Sequence, residues 1–132
     1  MLADHRMNKK INLFLKINTG MNRLGLTPKE GSKAIQTLRS LPHIGEITLM
    51  THLASADDPA AYHEVSTQLS VFSEILNITR LPCSLANSAA IIQHPQTHQD
   101  WIRPGIMLYG ASPLTHKTAA ELDLRPVMTV SS

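Results

Sequence analysis

The hydrophobic residues of this chain alternate between the period of a strand and the period of a helix. Residues 11–17 place apolar side chains at every second position, which predicts a strand, and Phe14 on the opposite face predicts burial on both sides. The other segments with a strand pattern are 44–52, 83–87, 106–109 and the start of a further strand at 127–130.

Helices are predicted between these strands, and the clearest helix start is Thr27-Pro28-Lys29-Glu30. Thr27 can accept a hydrogen bond from the Glu30 amide, while the Glu30 side chain reaches back to Thr27. Pro28 at the first helical position loses no needed donor. These residues therefore predict a capping box, and apolar residues continue the helical spacing as far as Leu41.

A second helix is predicted by apolar residues that step by four, three and four, with Gln68 outside this stripe. The residues of the stripe are Val65, Leu69, Phe72 and Leu76. A third helix is predicted to begin at Ser88, directly at a strand end, and residues 118–124 have the pattern of a short helix.

The order of elements predicts an α/β fold, because strands that alternate with helices form βαβ units and a parallel sheet. About four units of about 33 residues each suit the usual βαβ spacing. A closed (β/α)8 barrel usually needs about 250 residues, whereas this chain has 132. We therefore expect a partial (β/α)8 TIM-type barrel, about half of the closed form, or a small open α/β sheet.

Composition narrows the classes of function. A hydrophobic fraction of 42% and a charged fraction of 17% exclude a disordered chain, and a net charge of +2 gives no reason to expect nucleic acid or an anionic membrane as partner. The uncharged stretch 81–99 contains prolines and polar residues, so no membrane span is expected. Residues 1–6 lack the apolar region of a secretory signal, which favours a cytoplasmic protein. No metal site is expected, since His94 and His98 lack a second ligand pair.

Polar residues at the predicted strand ends are the candidates for a site, because parallel α/β folds place their sites there. Lys16 lies within an apolar strand and belongs either to an edge strand or to a site, since an unpaired buried ammonium is costly. Arg23 lies between Gly20 and Gly25 in a loop that lacks the Lys-Ser/Thr of a P-loop and is typical of a turn. His52 ends a strand, as a structural residue or as part of a site.

Two turns carry donors that suit a phosphate group. Asn87 and Ser88 lie where a strand ends and a helix begins, so free amides and a hydroxyl are available, although helix capping alone also explains them. The segment Arg103-Pro-Gly105-Ile106 supplies a second set of amides, and Gly105 lets the backbone approach a ligand closely. Together the two turns predict a phosphate-bearing ligand at the strand ends.

The same turns belong to longer motifs that resemble the alanine racemase family, which are fold-type III pyridoxal-phosphate enzymes. The motifs keep the family's order and spacing and together span nearly the whole chain. They are Leu15-Lys-Ile-Asn-Thr-Gly-Met-Asn-Arg-Leu-Gly25, Met50-Thr-His-Leu-Ala-Ser-Ala-Asp57, Ala86–Ala90 and Ile102-Arg-Pro-Gly-Ile-Met-Leu-Tyr-Gly110.

The resemblance implies a domain organisation and a reaction. Residues 1–126 would form the C-terminal half of a pyridoxal-phosphate-binding (β/α)8 barrel, and residues 127–132 would begin the connection to a C-terminal β domain. The parent protein would be a homodimer that interconverts L-alanine and D-alanine for the supply of peptidoglycan precursors.

The resemblance also implies roles for particular residues. The residues implied to hold the cofactor phosphate are Ser88, Gly105 and Ile106, with Asn87 beside them. Arg103 would donate to the pyridine nitrogen, and His52 would lie against the cofactor and support Arg103. Arg23 would reach towards the phenolic oxygen of the cofactor, and Lys16 corresponds to a position that is carbamylated in some members, where it pairs with that arginine.

Two catalytic groups of the family have no counterpart among these residues: the Schiff-base lysine with its early motif, and the tyrosine base from the β domain of the partner subunit. Asn18 also stands where some members have aspartate. The expectation is therefore a fragment that is inactive alone. Two alternatives stay open, namely a related racemase for serine or for several amino acids, and a non-catalytic phosphate-binding or assembly module.

Overall fold

A parallel sheet of three strands forms the centre of the computed structural model, which describes residues 9–127. The strands are β1 (Ile11–Lys16), β2 (Ile44–Met50) and β3 (Cys83–Ser84), in the spatial order β1-β2-β3. The α-helices between and after them are α1 (Pro28–Arg39), α2 (Tyr62–Thr79) and α3 (Ser88–Gln93). The prediction of an α/β fold with parallel strands is therefore confirmed. No helix within residues 9–127 is long and apolar enough to span a bilayer.

One face of the sheet packs against α1 and α2. The buried cluster there comprises Ile17, Ile35, Leu49, Phe72, Ile75, Cys83 and Leu85. A second cluster, of smaller side chains, lies under the loops that follow β2 and β3 and comprises Leu53, Ala56, Val65, Ala86, Ala89, Ala90 and Leu114. These two clusters fix the strand ends where the candidate residues lie.

The opposite face of β1 is less buried than the sequence predicts. Phe14 is 53% exposed and packs against Trp101 in a T-shaped contact, with ring centroids 6.2 Å apart. Burial on both sides is therefore wrong for Phe14 within the described residues, where one aromatic contact leaves half of the side chain uncovered. Lys16 ends β1, which lies at the edge of the three-stranded sheet, so the edge-strand interpretation and the site interpretation both remain.

The strand predicted at 106–109 is wrong, because Ile106–Tyr109 forms a 3₁₀ helix. The Leu108 amide donates to the Gly105 carbonyl at 3.0 Å, and the Gly110 amide donates to the Met107 carbonyl at 3.1 Å. Gly110 then ends the helix in the left-handed region, with φ of 75°. A run of four apolar residues has no period of its own, so it does not distinguish a strand from a helical turn.

The segment that extends the sheet beyond β3 lies a few residues earlier. The Trp101 amide donates to the Cys83 carbonyl at 3.2 Å, and Trp101 forms a parallel bridge with Ser84. Further along, the Arg103 amide donates to the Ala86 carbonyl at 2.9 Å. Arg103 therefore follows the segment that extends the sheet, whereas a strand at 106–109 would have placed Arg103 before it.

The buried face of α2 also differs from the predicted stripe, because Gln68 is only 4% exposed. The buried residues of α2 are Val65, Gln68, Phe72 and Ile75, which step by three, four and three. Leu69 is only partly buried. The prediction that Gln68 lies outside the buried stripe is wrong, and the reason is that its amide is fully hydrogen-bonded in the interior, as described below.

The remaining predicted elements are shorter in the structure. The third strand ends at Ser84 instead of residue 87, and the short helix at 118–124 is reduced to the 3₁₀ helix Ala120–Leu122. Val127 has no regular structure, and the rest of the strand predicted at 127–130 lies outside the described residues.

The capping box at the start of α1 is confirmed. The Thr27 amide donates to Glu30 Oε2 at 2.9 Å, and the Glu30 amide donates to Thr27 Oγ1 at 3.3 Å. Pro28 occupies the first helical position. The hydrogen bonds from Thr27 hold the pKa of the Glu30 carboxyl below its usual value.

Replacing Thr27 with alanine should therefore lower the free energy of unfolding by about 0.5–2 kcal/mol, since the cap is lost. Chemical denaturation measures this loss. Thr37→Ala is the matched control on α1, because the Thr37 hydroxyl bonds only within the helix, to the Lys33 carbonyl. Equal losses in the two variants would contradict the capping role of Thr27.

Candidate functional site

A cleft of about 500 Å³ opens at the C-terminal ends of the strands. Six of its lining residues are those that the sequence assigns to a cofactor, namely His52, Asn87, Ser88, Arg103, Gly105 and Ile106. The others are Ala54, Asp57, Ala89, Ser112 and Pro113. The fold therefore brings residues from four separate chain segments, 52–57, 87–89, 103–106 and 112–113, into one concave site.

Arg103 is anchored at this cleft by three hydrogen bonds. Its guanidinium donates from Nη1 to Ser84 Oγ at 2.6 Å, and from Nη2 to the Thr51 carbonyl at 2.6 Å and the Leu85 carbonyl at 3.3 Å. Burial lowers the pKa of this guanidinium, but an arginine stays charged at any working pH. A guanidinium has five N–H donors, so two of them have no hydrogen bond to the described residues.

The acceptors of Arg103 were not found by sequence reasoning. Ser84 is fully buried, and its hydroxyl also donates to the Trp101 carbonyl at 3.0 Å. A serine between apolar residues of a predicted strand is a weak signal for such a role. The carbonyl groups of Thr51 and Leu85 carry no side-chain signal at all, because every residue has one.

The two predicted donor turns contact each other directly. Ser88 Oγ accepts a hydrogen bond from the Gly105 amide at 2.7 Å, and its own hydroxyl proton remains to be donated. Ile106 begins the 3₁₀ helix, where a backbone amide has no partner within the helix. Asn87 caps α3 by accepting from the Ala90 amide at 3.0 Å, so the capping interpretation holds for Asn87 and leaves Ser88 to face the cleft.

His52 lines the same cleft, where its surroundings disfavour the protonated imidazole. Burial lowers the pKa of its imidazole, and the positive charges of Arg103, Lys16 and Arg23 lower it further. No hydrogen bond joins the described side chains of His52 and Arg103, whose anchors are the three acceptors named above.

Lys16 and Arg23 lie outside the lining of the cleft and contribute positive charge nearby. Arg23 is exposed in a turn that Asn18 organises, because Asn18 Oδ1 accepts from the amides of Gly20 at 3.1 Å and Asn22 at 3.0 Å. The interpretation of residues 20–25 as a turn is thus confirmed, and Arg23 in this turn is near enough to His52 to lower the pKa of its imidazole.

Comparisons with known proteins identify the source of this arrangement. The model of the family described as alanine racemase, N-terminal domain, matches residues 1–113. An alanine racemase from Nitrosospira multiformis is 51% identical over 132 residues, which are 100% of this chain and 37% of that protein. A catabolic alanine racemase from Salmonella typhimurium is 44% identical over 99% of this chain and 36% of its own length.

A solved structure agrees with these sequence relatives. The biosynthetic alanine racemase from Pseudomonas aeruginosa superposes with a TM-score of 0.82 and 41% identity, over 92% of this chain and 34% of that one. The chain thus spans somewhat more than a third of the length of the relatives it matches. The predicted fold class, part of a (β/α)8 barrel with parallel strands, is confirmed. With a family model that covers residues 1–113 and relatives that cover all of it, the chain belongs to the alanine racemase family.

Proposed function

We propose that the protein is an alanine racemase and that its cleft binds pyridoxal 5'-phosphate. The observation that carries this proposal is the convergence of all six candidate cofactor residues on one cleft, with donors at both of its ends. The donor set fits the cofactor, because a phosphate group and a pyridine nitrogen are both acceptors. The full protein would act on alanine as a homodimer in the cytoplasm and supply D-alanine for peptidoglycan.

Ser88 and Ile106 would hold the phosphate end of the cofactor. The Ser88 hydroxyl has a proton to donate, and its oxygen already fixes the position of the Gly105 backbone. The Ile106 amide would donate from the start of its 3₁₀ helix, with Gly105 and Asn87 forming the adjacent wall. Backbone amides and hydroxyls that are fixed in this way bind phosphate without reorganisation.

Arg103 would hold the pyridine end of the cofactor. Because a guanidinium can only donate, it would bind the ring nitrogen as an unprotonated acceptor. Its two unused N–H groups would supply this bond, while Ser84, Thr51 and Leu85 keep the guanidinium in place. His52 beside it would add a flat surface for the ring, and the lowered pKa of its imidazole disfavours a further positive charge there.

The bound cofactor would supply an electron sink that acidifies the α-hydrogen of alanine. The described residues would bind and orient it, and none of them is assigned the transfer of a proton.

Residues 1–126 are proposed as barrel and residues 127–132 as the start of a connection to a β domain. The lysine and tyrosine bases would come from other parts of the full protein, so the 132 residues alone should be inactive. Lys16, if carbamylated, would place an anion near Arg23.

Cofactor binding tests the site directly. Pyridoxal phosphate titrated into the apoprotein should bind, and Ser88→Ala and Arg103→Ala should each raise the dissociation constant about tenfold or more, the usual cost of a lost hydrogen bond to a charged group. Ser73→Ala is a matched control, because Ser73 is exposed on α2 and bonds only to the Ser70 carbonyl. If both site variants bind as tightly as the control, the assigned cofactor site is wrong.

Turnover tests the reaction. The full-length protein should interconvert L-alanine and D-alanine, and Arg103→Glu should slow racemisation by about two orders of magnitude, as is typical for the loss of a preorganised donor. Arg39→Glu makes the same charge change at the end of α1, away from the cleft, and should leave the rate unchanged. Efficient racemisation of serine with little of alanine would instead identify a related racemase, and binding without any turnover would favour a non-catalytic module.

Stability should depend on pH through two histidines. Burial lowers the pKa of both His52 and His94 in the folded protein, so near pH 6 the unfolded chain binds more protons than the native one. The free energy of unfolding should therefore fall as the pH drops through about 6.5 towards 5, and His52→Gln should make this fall shallower. Denaturation curves between these pH values measure the slope, and an unchanged slope in the variant would contradict the effect of His52.

A further inference from the structure

Gln68 is a polar residue on the buried face of α2, between Val65 and Phe72. A buried amide is costly unless it is hydrogen-bonded, and here every donor is used. Gln68 Nε2 donates to Thr19 Oγ1 at 3.1 Å and to the His52 carbonyl at 2.9 Å. Its Oε1 accepts from the Ala54 amide at 2.9 Å, which fixes the orientation of the amide group.

The hydrogen bonds that start at Gln68 form a chain with a single direction. Thr51 Oγ1 donates its one proton to the Ile17 carbonyl at 3.0 Å, so it can only accept from Thr19 Oγ1, which lies 2.7 Å away. Thr19 therefore donates to Thr51 and accepts from Gln68. The direction runs from Gln68 through Thr19 and Thr51 to the backbone of Ile17, and the side chains of the first three are all buried.

These hydrogen bonds involve the segment that positions the candidate site, residues 51–54. The carbonyl of Thr51 is the 2.6 Å acceptor of the Arg103 guanidinium. The carbonyl of the next residue, His52, is the acceptor of Gln68, and the Ala54 amide two residues later is its donor. Gln68 thus holds residues 51–54 at the end of β2, including the group that anchors Arg103.

We infer that Gln68 is a positioning residue for the cofactor site, which acts through residues 51–54 on Arg103 and His52. The inference rests on the proposed cofactor site and adds a residue outside its cleft. An apolar side chain would fill the same space in the core, but it would leave the Ala54 amide and the His52 carbonyl without their partner and remove the donor to Thr19 Oγ1. The side-chain amide of Gln68 therefore determines the geometry at the end of β2 and not the packing of α2.

Gln68→Met tests this inference, because methionine has a similar length and shape but makes none of the three hydrogen bonds. In the full-length apoprotein, hydrogen exchange at the Ala54 amide should accelerate, and the dissociation constant for pyridoxal phosphate should rise about tenfold or more. Thr51→Val removes the middle hydroxyl of this hydrogen-bond network and should raise the dissociation constant for pyridoxal phosphate by a similar factor. Combining the two substitutions should add little, since both break one network.

Thr48→Val is the matched control, because Thr48 is equally buried on β2 but its hydroxyl bonds to Glu46, which is not part of the hydrogen-bond network of Gln68. It should leave the dissociation constant unchanged even where it lowers thermal stability. If Gln68→Met and Thr48→Val have the same small effect on cofactor binding, the inference is wrong. A wild-type protein that binds no pyridoxal phosphate would instead contradict the proposed function.

Gln68→Glu gives a pH-dependent signature and serves as the test if Gln68→Met does not fold. An ionised Glu side chain can only accept, so it repels the His52 carbonyl and turns the Thr19 hydroxyl away from Thr51. Protonation of the new carboxyl group restores one donor. The affinity of the Gln68→Glu variant for pyridoxal phosphate, relative to that of the wild type, should therefore improve as the pH falls. If this ratio of affinities is constant with pH, the direction assigned to these hydrogen bonds is wrong.

Discussion

A half-buried guanidinium must be surrounded by acceptors, and this requirement organises the polar end of the sheet. Arg103 meets it with one hydroxyl and two carbonyl groups from the ends of neighbouring strands. Leaving a charged group unpaired in such a place would cost several kcal/mol. The strand ends are therefore held in register by a residue that still has two donors for a ligand.

The rest of the site depends on the same strand ends. Ser88 joins the start of α3 to the Gly105 backbone, so this end of the cleft is connected to the segment that carries Arg103. Gln68 reaches from α2 to residues 51–54. A helix that packs by apolar contacts along most of its length thus uses its one buried polar residue to fix the end of a strand.

Sequence reasoning predicts the features whose cause is local. The capping box at Thr27 and the cap at Asn87 need only the side chain and the amides of the following turn, and both are found. The four-residue segment Ile106–Tyr109 was wrongly predicted as a strand, because its apolar run has no period. In the structure this segment follows a turn that is tied to Ser88 through the Gly105 amide, a contact between distant residues that the sequence pattern does not contain.

In the candidate site, too, some residues can be recognised from the sequence, whereas the groups that hold them in place cannot. The residues that would touch the cofactor have side chains or turns that stand out in the sequence, and they all line the cleft. The groups that hold them do not stand out, since the Thr51 carbonyl is common to every residue and Ser84 is a short polar residue in a strand. The burial of Gln68 does not follow from the sequence, because apolar spacing in α2 fits a stripe through Leu69 and Leu76 as well as one through Gln68 and Ile75. Only the hydrogen-bond partners of Gln68 in the folded protein favour the second stripe.

A crystal structure of the full-length protein with pyridoxal phosphate bound would test the assignment of the cleft directly. We expect the phosphate oxygens within hydrogen-bond distance of the Ser88 hydroxyl and the Ile106 amide, about 2.7–3.2 Å, and the pyridine nitrogen at the same distance from the Arg103 guanidinium. A cofactor bound elsewhere, or bound with its ring nitrogen turned away from Arg103, would contradict this assignment.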